Sequence, residues 1–361
     1  MEGRGVLRRV RGTGVAALIA VCGLVLAGCG EPPKEDKEPG AGKQFKACMV
    51  TDIGGVDDRS FNASAWAGMK AAEDSGDNIK VSYVASDSES DYEPNLQQGV
   101  EGECALIVAV GGLMADATTK VAEQNPKQQF AIVDAFIDAE NVHSMQFNTA
   151  QSSVQAGYLA AGMSKTGTVA TYGGLKIPPV TIFMDGFEQG VKHYNEVKKK
   201  NVKVLGWNSE KQNGSFAESF TDKGKGKALA DNFVSQGADI IFPVAGGTGL
   251  GTASVAQESK GKVSAIWVDH DGCEAAEDFC DVFISSVVKN IPDAVEKAVT
   301  SAAEGEAGGA FLGTLENKGT FLAPYHEWDG KVPAELKTEV EQLAADITSG
   351  KIKIESKAQP Q

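Results

Sequence analysis

The sequence predicts an α/β protein built from two doubly wound parallel sheets. Three observations predict it. Apolar, β-rich runs alternate with helical patterns almost without interruption from Phe45 onward, and the alternation restarts near residue 150. The runs are also near-continuous in Val, Ile and Ala, as strands covered on both faces are. About 320 residues follow the N-terminal segment, more than one core usually supports, so two domains of ordinary size are expected.

In the first half the strands are "FKACMV" from Phe45, "IKVSYVAS" from Ile79, "ALIVAV" from Ala105, "QFAIVDA" from Gln129 and "VHSMQF" from Val142. Helical patterns such as 60–73 and 115–124 stand between most of them. The second half repeats the scheme with a helix over 152–165, strand "TVATYGG", a helix over 181–197, strand "KVLGWN", a helix over 223–236, strand "DIIFPVA", a helix over 248–259 and strand "VSAIWVD". The segments left over are "VFISSVVK", a helix over 292–303, "FLGTLENKGTFLAPY" and a helix over 334–349, and these could complete either sheet.

Ahead of the sheets, Arg4, Arg8, Arg9 and Arg11 precede the apolar run "VAALIAVCGLVLA" at 15–27. The run is too short for a permanent membrane span and has the layout of an export signal. It ends in Leu26-Ala27-Gly28-Cys29, which resembles the bacterial lipobox and implies acylation of Cys29; a plain secretory signal is the alternative. The next stretch, "GEPPKEDKEPGAGKQ", is rich in proline, glycine and charge and reads as a tether. Residues 1–28 are thus expected to be a signal peptide and 29–44 a lipid-anchored linker.

The formal net charge is −15. Residues 1–28 carry four arginines and one glutamate, so the remainder stands at −18. Such a surface repels phosphate backbones, which argues against nucleic acid as a partner. Apart from Cys22 in the signal and Cys29, the cysteines are Cys48, Cys104, Cys273 and Cys280, an even number in an exported chain. Cys48 lies in the first strand and Cys104 just before the third, neighbours in the common strand order 2-1-3, while Cys273 and Cys280 bracket one short loop. Those two disulfides are favoured over zinc, since there is no C-x-x-C pair and no histidine cluster beyond His270.

Catalytic templates find little purchase. "SVVK" at 286–289 and "KTG" at 165–167 occur in the reverse of the order used by penicillin-binding enzymes, and no H-E-x-x-H, G-x-S-x-G or Walker A sequence is present. "AGGTGLGTA" at 245–253 follows a strand and opens a helix, yet its glycines read better as a tight turn than as a phosphate cradle. The informative pattern is positional. Ligands of open α/β sheets sit beyond the carboxyl ends of strands, and those ends carry Asp52, Gly111-Gly112, Asp134, Gly246-Gly247 and Asp269 with Asp271. Carboxylates aimed into a cleft beside aromatics suit a small polyol or nucleoside, although Asp57, Asp58 and Asp271 serve equally well as helix caps.

Taken in order, "DIGGVDDRSFNASAWAGM", "FAIVD", "GYLAAG" with "TVATYGG", "GFEQGV", "SFTDKGKGKALA", "VAGGTGLG", "WVDHD" and "SSVVKN" resemble the basic membrane protein family of bacterial lipoproteins, which includes purine nucleoside receptors of ABC transporters. The resemblance runs from about Phe45 to Ile354. It implies the type I periplasmic-binding-protein fold, two α/β domains joined by a three-segment hinge: 45–147 plus about 288–313, and 148–287 plus about 314–354. It implies that Phe61 and Phe220 stack on a purine, with Asn62 and Asp134 on the base edge. Asp269 and Lys289 would hold the ribose hydroxyls, Gly246 would offer backbone and Asp52 would line the cleft. Phe216 competes with Phe220 for the second aromatic wall, and the Pro178-Pro179 pair departs from the family pattern in what reads as a loop.

The implied protein is a monomer held by its lipid anchor on the extracytoplasmic face of the cell membrane. It captures a nucleoside by hinge closure and delivers it to an ABC permease, with no bond made or broken and neither cofactor nor metal. A sugar or autoinducer receptor of the same fold, and a ligand sensor for a signalling partner, are the alternatives. A nucleoside hydrolase ranks last because its calcium-binding acid cluster is missing.

Overall fold

The computed structural model describes residues 44–360 apart from 77 and 307. The export signal, the tether up to Lys43 and Cys29 lie outside the described residues. The first series of elements is β1 (Phe45–Ile53), α1 (Phe61–Ser75), β2 (Ile79–Ser86), α2 (Tyr92–Glu101), β3 (Leu106–Val110), α3 (Ala115–Gln124), β4 (Gln129–Val133) and β5 (Val142–Phe147). The second is α4 (Ala150–Met163), β6 (Thr168–Gly173), α5 (Pro178–Lys198), β7 (Lys203–Leu205), β8 (Trp207–Asn208), β9 (Asn213–Gly214), α6 (Lys223–Ser235), β10 (Ile240–Val244), α7 (Leu250–Glu258), β11 (Ser264–Asp269), α8 (Gly272–Ala275) and β12 (Phe283–Lys289). The chain closes with α9 (Ile291–Ala303), β13 (Gly309–Gly313), β14 (Thr320–Leu322) and α10 (Ala334–Thr348).

Two six-stranded sheets result, ordered β13-β5-β4-β3-β1-β2 and β14-β12-β11-β10-β6-β7. Pairing is parallel throughout except for β14, which runs antiparallel to β12. Strands β3, "LIVAV", and β10, "IIFPV", are buried at every position, so each needs helices on both faces. The leftover segments thus divide: β12 and β14 complete the second sheet and β13 the first. Helices α4 and α5 approach so closely that a Cβ on Gly157 would lie 2.0 Å from Phe187 O, and one on Gly190 would lie 2.1 Å from Val154 O. Larger residues at either position would force this pair apart.

One expected strand is broken. "KVLGWN" ends as β7 at Leu205, because Gly206 takes φ +83° and turns the chain; Trp207-Asn208 then pairs with Asn213-Gly214 as a separate hairpin. A side chain could not replace that glycine, whose Cβ would lie 2.0 Å from Thr171 O.

The chain passes between the lobes three times, after β5, after β12 and between β13 and β14. The three passages are bonded to one another: Asn148 N–H donates to Gly313 O at 2.8 Å and Asn290 N–H to Gly319 O at 2.9 Å. Disulfides join Cys48 to Cys104 and Cys273 to Cys280. The first links β1 to the entry of its neighbour β3, and the second closes the turn that follows β11.

Candidate ligand-binding site

The carboxyl ends of both sheets face a common cavity, whose unfilled space, its opening included, is about 570 Å³. Asp52, Phe61, Asn62, Asp134, Phe220, Gly246, Asp269 and Lys289 all line it. Bonds across the cleft show the lobes closed: Ser60 Oγ donates to Val268 O at 3.2 Å, Ser60 also meets Asp269 Oδ2 at 3.1 Å, and Lys289 Nζ pairs with Asp134 Oδ2 at 2.6 Å.

One end of the cavity is built at the start of α1. Asp58 accepts from the backbone N–H of Ser60 at 3.0 Å, Asn62 at 2.8 Å and Ala63 at 3.0 Å, satisfying donors that the first helical turn leaves free. Asp58 therefore caps α1 and lines the cavity as well. The cap sets Phe61 and Asn62 on the first turn, facing inward. Asn62 Nδ2 donates to Asp52 Oδ1 at 2.9 Å and to Asp58 Oδ2 at 3.3 Å. Its Oδ1 is buried, and among the described residues nothing donates to it. A buried carbonyl without a donor costs free energy, which a ligand N–H would recover. Asp52 is 7% exposed, and burial pushes its carboxyl up to about 8; Asn62 opposes the shift, while Asp58, Asp134 and Asp269 add to it. Burial also raises Asp58. Gly111 is required here, since at φ +124° its Cβ would lie 2.2 Å from Asp52 Oδ2.

The other end centres on Lys289, only 2% exposed. Its ammonium sits 2.6 Å from Asp134 and 3.6 Å from Asp269, and 5.0 and 5.1 Å from the ring centres of Phe61 and Phe183. Burial disfavours the lysine's charge, but the two carboxylates outweigh it and hold its pKa above the usual lysine value. Burial raises Asp134 in turn, with Lys289 pulling against it. Asp134 and Asp269 thus share Lys289, while Asn62 is bonded to Asp52 and Asp58.

Phe220 reaches the cavity from the 215–222 segment, packed so tightly on the turn after β6 that a Cβ on Gly174 would lie 2.3 Å from its ring. Phe216 instead packs edge-on against Trp207, ring centres 6.0 Å apart, and is not among the lining residues. Pro178-Pro179 is not a loop: Pro178 opens α5 and Pro179 lines the cavity. Proline at a first helical position was the available signal. Phe183, also in the lining, carried none, because an aromatic on a buried helix face reads as core. In "AGGTGLGTA" the glycines serve packing, since a Cβ on Gly251 would lie 2.1 Å from Lys223 O of α6.

Two α/β lobes joined by three strands of chain and closed on a small-molecule cavity define a solute-binding protein of the type I periplasmic class. Residues 45–319 match the family described as ABC transporter substrate-binding protein PnrA-like, and the chain belongs to that family. It is 34% identical to the CD4+ T-cell-stimulating antigen of Listeria monocytogenes, over 94% of this chain and 97% of that protein. It is 32% identical to the ABC transporter nucleoside-binding protein BmpA of Lactococcus lactis, over 97% and 99%. A solute-binding protein of an ABC transporter from Aeropyrum pernix superposes with a TM-score of 0.78 at 24% identity, covering 88% of this chain and 94% of that one.

Proposed function

We propose that this protein captures a nucleoside with a purine base by closing its two lobes, and hands it unchanged to an ABC permease while Cys29 tethers it to the extracytoplasmic face of the membrane. The observation that carries the reading is the two-ended cavity. Phe61, Phe220 and the undonated Asn62 Oδ1 suit a flat base with an N–H edge, and Asp134, Lys289 and Asp269 suit the hydroxyls of a sugar. Asp52, whose carboxyl burial pushes up to about 8, offers the base an O–H donor in its protonated form. Gly246 brings the backbone of the opposite lobe to the same space. Stacking contributes roughly 1–3 kcal/mol per base, and charge-assisted hydrogen bonds add to it. The name of the Lactococcus relative, a nucleoside-binding protein, supports this choice of ligand.

The test is calorimetric titration of the full chain with adenosine, guanosine, inosine, adenine and ribose. Nucleosides are expected to bind at least tenfold more tightly than the free base or the pentose. Heat with ribose or another sugar, and none with any nucleoside, refutes the assignment and favours a sugar receptor.

A further inference from the structure

A second, open cavity, with about 990 Å³ of unfilled space, its opening included, adjoins the first, and Gly112, Asp134, Ile177 and Pro179 line both. Its other walls include Leu113, Phe136, Phe147 and Ile182 from the two lobes and, from near the end of the chain, Lys357 to Pro360. These end residues are fastened in place. Gln189 of α5 exchanges two hydrogen bonds with the Glu355 backbone, at 2.5 and 3.1 Å, and Ser356 Oγ donates to the buried carboxylate of Asp185 at 2.6 Å. Asp185 also accepts from Trp207 Nε1 and Gln212 Nε2, so one carboxylate ties the chain end to the hairpin that leads into the Phe220 segment.

We propose that this chamber is a continuation of the ligand site and receives an apolar substituent carried on the sugar end of the ligand, such as an alkylthio group at the 5′ carbon of a nucleoside. The inference rests on the nucleoside reading and extends it. Four observations fix the class of substituent. Among the charged and amide side chains of the first cavity, Asp134 alone also borders the second, so the end of the ligand held by Asp134 and Lys289 is the end that faces the chamber. Asp52, Asp58 and Asn62, at the base end, do not border it. The walls combine apolar groups, Leu113, Phe136, Phe147, Pro178, Ile182 and Ala358, with the polar Asp134, Gln146, Lys357 and Gln359, the apolar surface being the larger. Among the described lining residues Lys357 is the single cation, and its amine already donates to Glu210 O at 3.1 Å, which disfavours a phosphate. Phe136, 41% exposed and on the mouth of the chamber, is an apolar surface such a group would cover.

The experiment titrates the full chain with adenosine and with 5′-deoxy-5′-methylthioadenosine, in the natural protein, in Phe136→Asp and in a chain ending at Ser356, which keeps the bond to Asp185. The methylthio compound is expected to bind at least as tightly as adenosine. Each variant is expected to weaken the methylthio compound tenfold or more while leaving adenosine within twofold. Methylthio binding more than tenfold weaker than adenosine in the natural protein overturns the inference and leaves the nucleoside reading standing, as does any variant that shifts both ligands alike. Failure of both compounds, with adenosine, guanosine and inosine all silent, overturns the two readings together.

Discussion

Asp134 and Asp269 occupy matching places in the two sheets. Each closes the fourth strand of an order that runs second, first, third, fourth, fifth, and each has a left-handed backbone, φ 68° and 65°. Non-glycine residues adopt that conformation at a cost and keep it where the surroundings demand it. Here the demand is shared, because both carboxylates point at one ammonium, Lys289, which itself ends the fifth strand of the second sheet. The site is thus made by one topological position used twice, with a cation on the passage between lobes between them.

That arrangement makes Lys289 central to stability as well as to binding. Removing one partner of a buried ion pair leaves an uncompensated charge and typically costs about 3–5 kcal/mol. Lys289→Gln is expected to lower the melting temperature by several degrees and to abolish nucleoside binding. Adding Asp134→Asn should restore most of the stability and none of the affinity. A double variant as unstable as the single one would show that the pair contributes little.

The two phenylalanines of the "NGSFAESF" segment have different expected phenotypes. Phe220 and Phe61 line the cavity, so replacing either by alanine removes a stacking surface and is expected to weaken nucleoside binding by about 5- to 150-fold, from about 1–3 kcal/mol per base. Phe216 packs on Trp207 outside the cavity, so Phe216→Ala is expected to lower thermal stability and leave affinity within a few-fold. Melting curves and titrations on the three variants decide it, and an affinity loss confined to Phe216→Ala reverses the assignment.

Much of this site is legible in the sequence. Strand ends were legible because apolar runs stop abruptly at Asp52, Asp134 and Asp269, and strand ends are where such sheets bind. Phe61 was legible because an aromatic at a helix start among polar neighbours has no core to enter. Choosing between Phe216 and Phe220 depended on where Gly206 breaks the preceding strand, a backbone event with only a single glycine as its trace. Asp58 reads equally as a helix cap or a cleft residue, and the one side chain both caps α1 and lines the cavity. The C-terminal wall of the second chamber left no sequence signal, since the bonds that dock it join residues over 140 positions apart.

Closure should be linked to protons. Asp52 faces the carboxylates of Asp58, Asp134 and Asp269 and the amide of Asn62; burial raises its pKa from 3.8 to about 8 in the closed form. A group whose pKa is raised binds its proton more tightly in that form. Its contribution therefore favours closure at low pH, and it weakens as pH rises from the ordinary carboxylate range toward 8. Asp58 and Asp134 shift in the same direction. Nucleoside affinity is expected to fall between pH 6 and 8, by up to tenfold per unit, with proton uptake visible as a dependence of binding heat on buffer ionisation. Asp52→Asn should flatten that profile, and an equally steep profile in the variant would assign the proton to another group.

The two disulfides should separate stability from binding. Cys48–Cys104 spans 56 residues and Cys273–Cys280 spans 7. In the chain-entropy account a longer closed loop restrains the unfolded chain more, giving about 4 kcal/mol for the first and about 2.5 for the second. The first bond also lies away from the cleft, near the amino end of β3, whereas the second closes the turn just past Asp269. Replacing Cys48 and Cys104 by serine is therefore expected to cause the larger drop in denaturant midpoint with nucleoside affinity unchanged. Replacing Cys273 and Cys280 should cause the smaller drop together with weaker binding, because Asp271 caps α8 within that turn by accepting from Cys273 N–H at 3.0 Å, and its loosening frees the backbone that carries Asp269. Equal affinity in both pairs of variants would show that the turn is held by its helix cap alone.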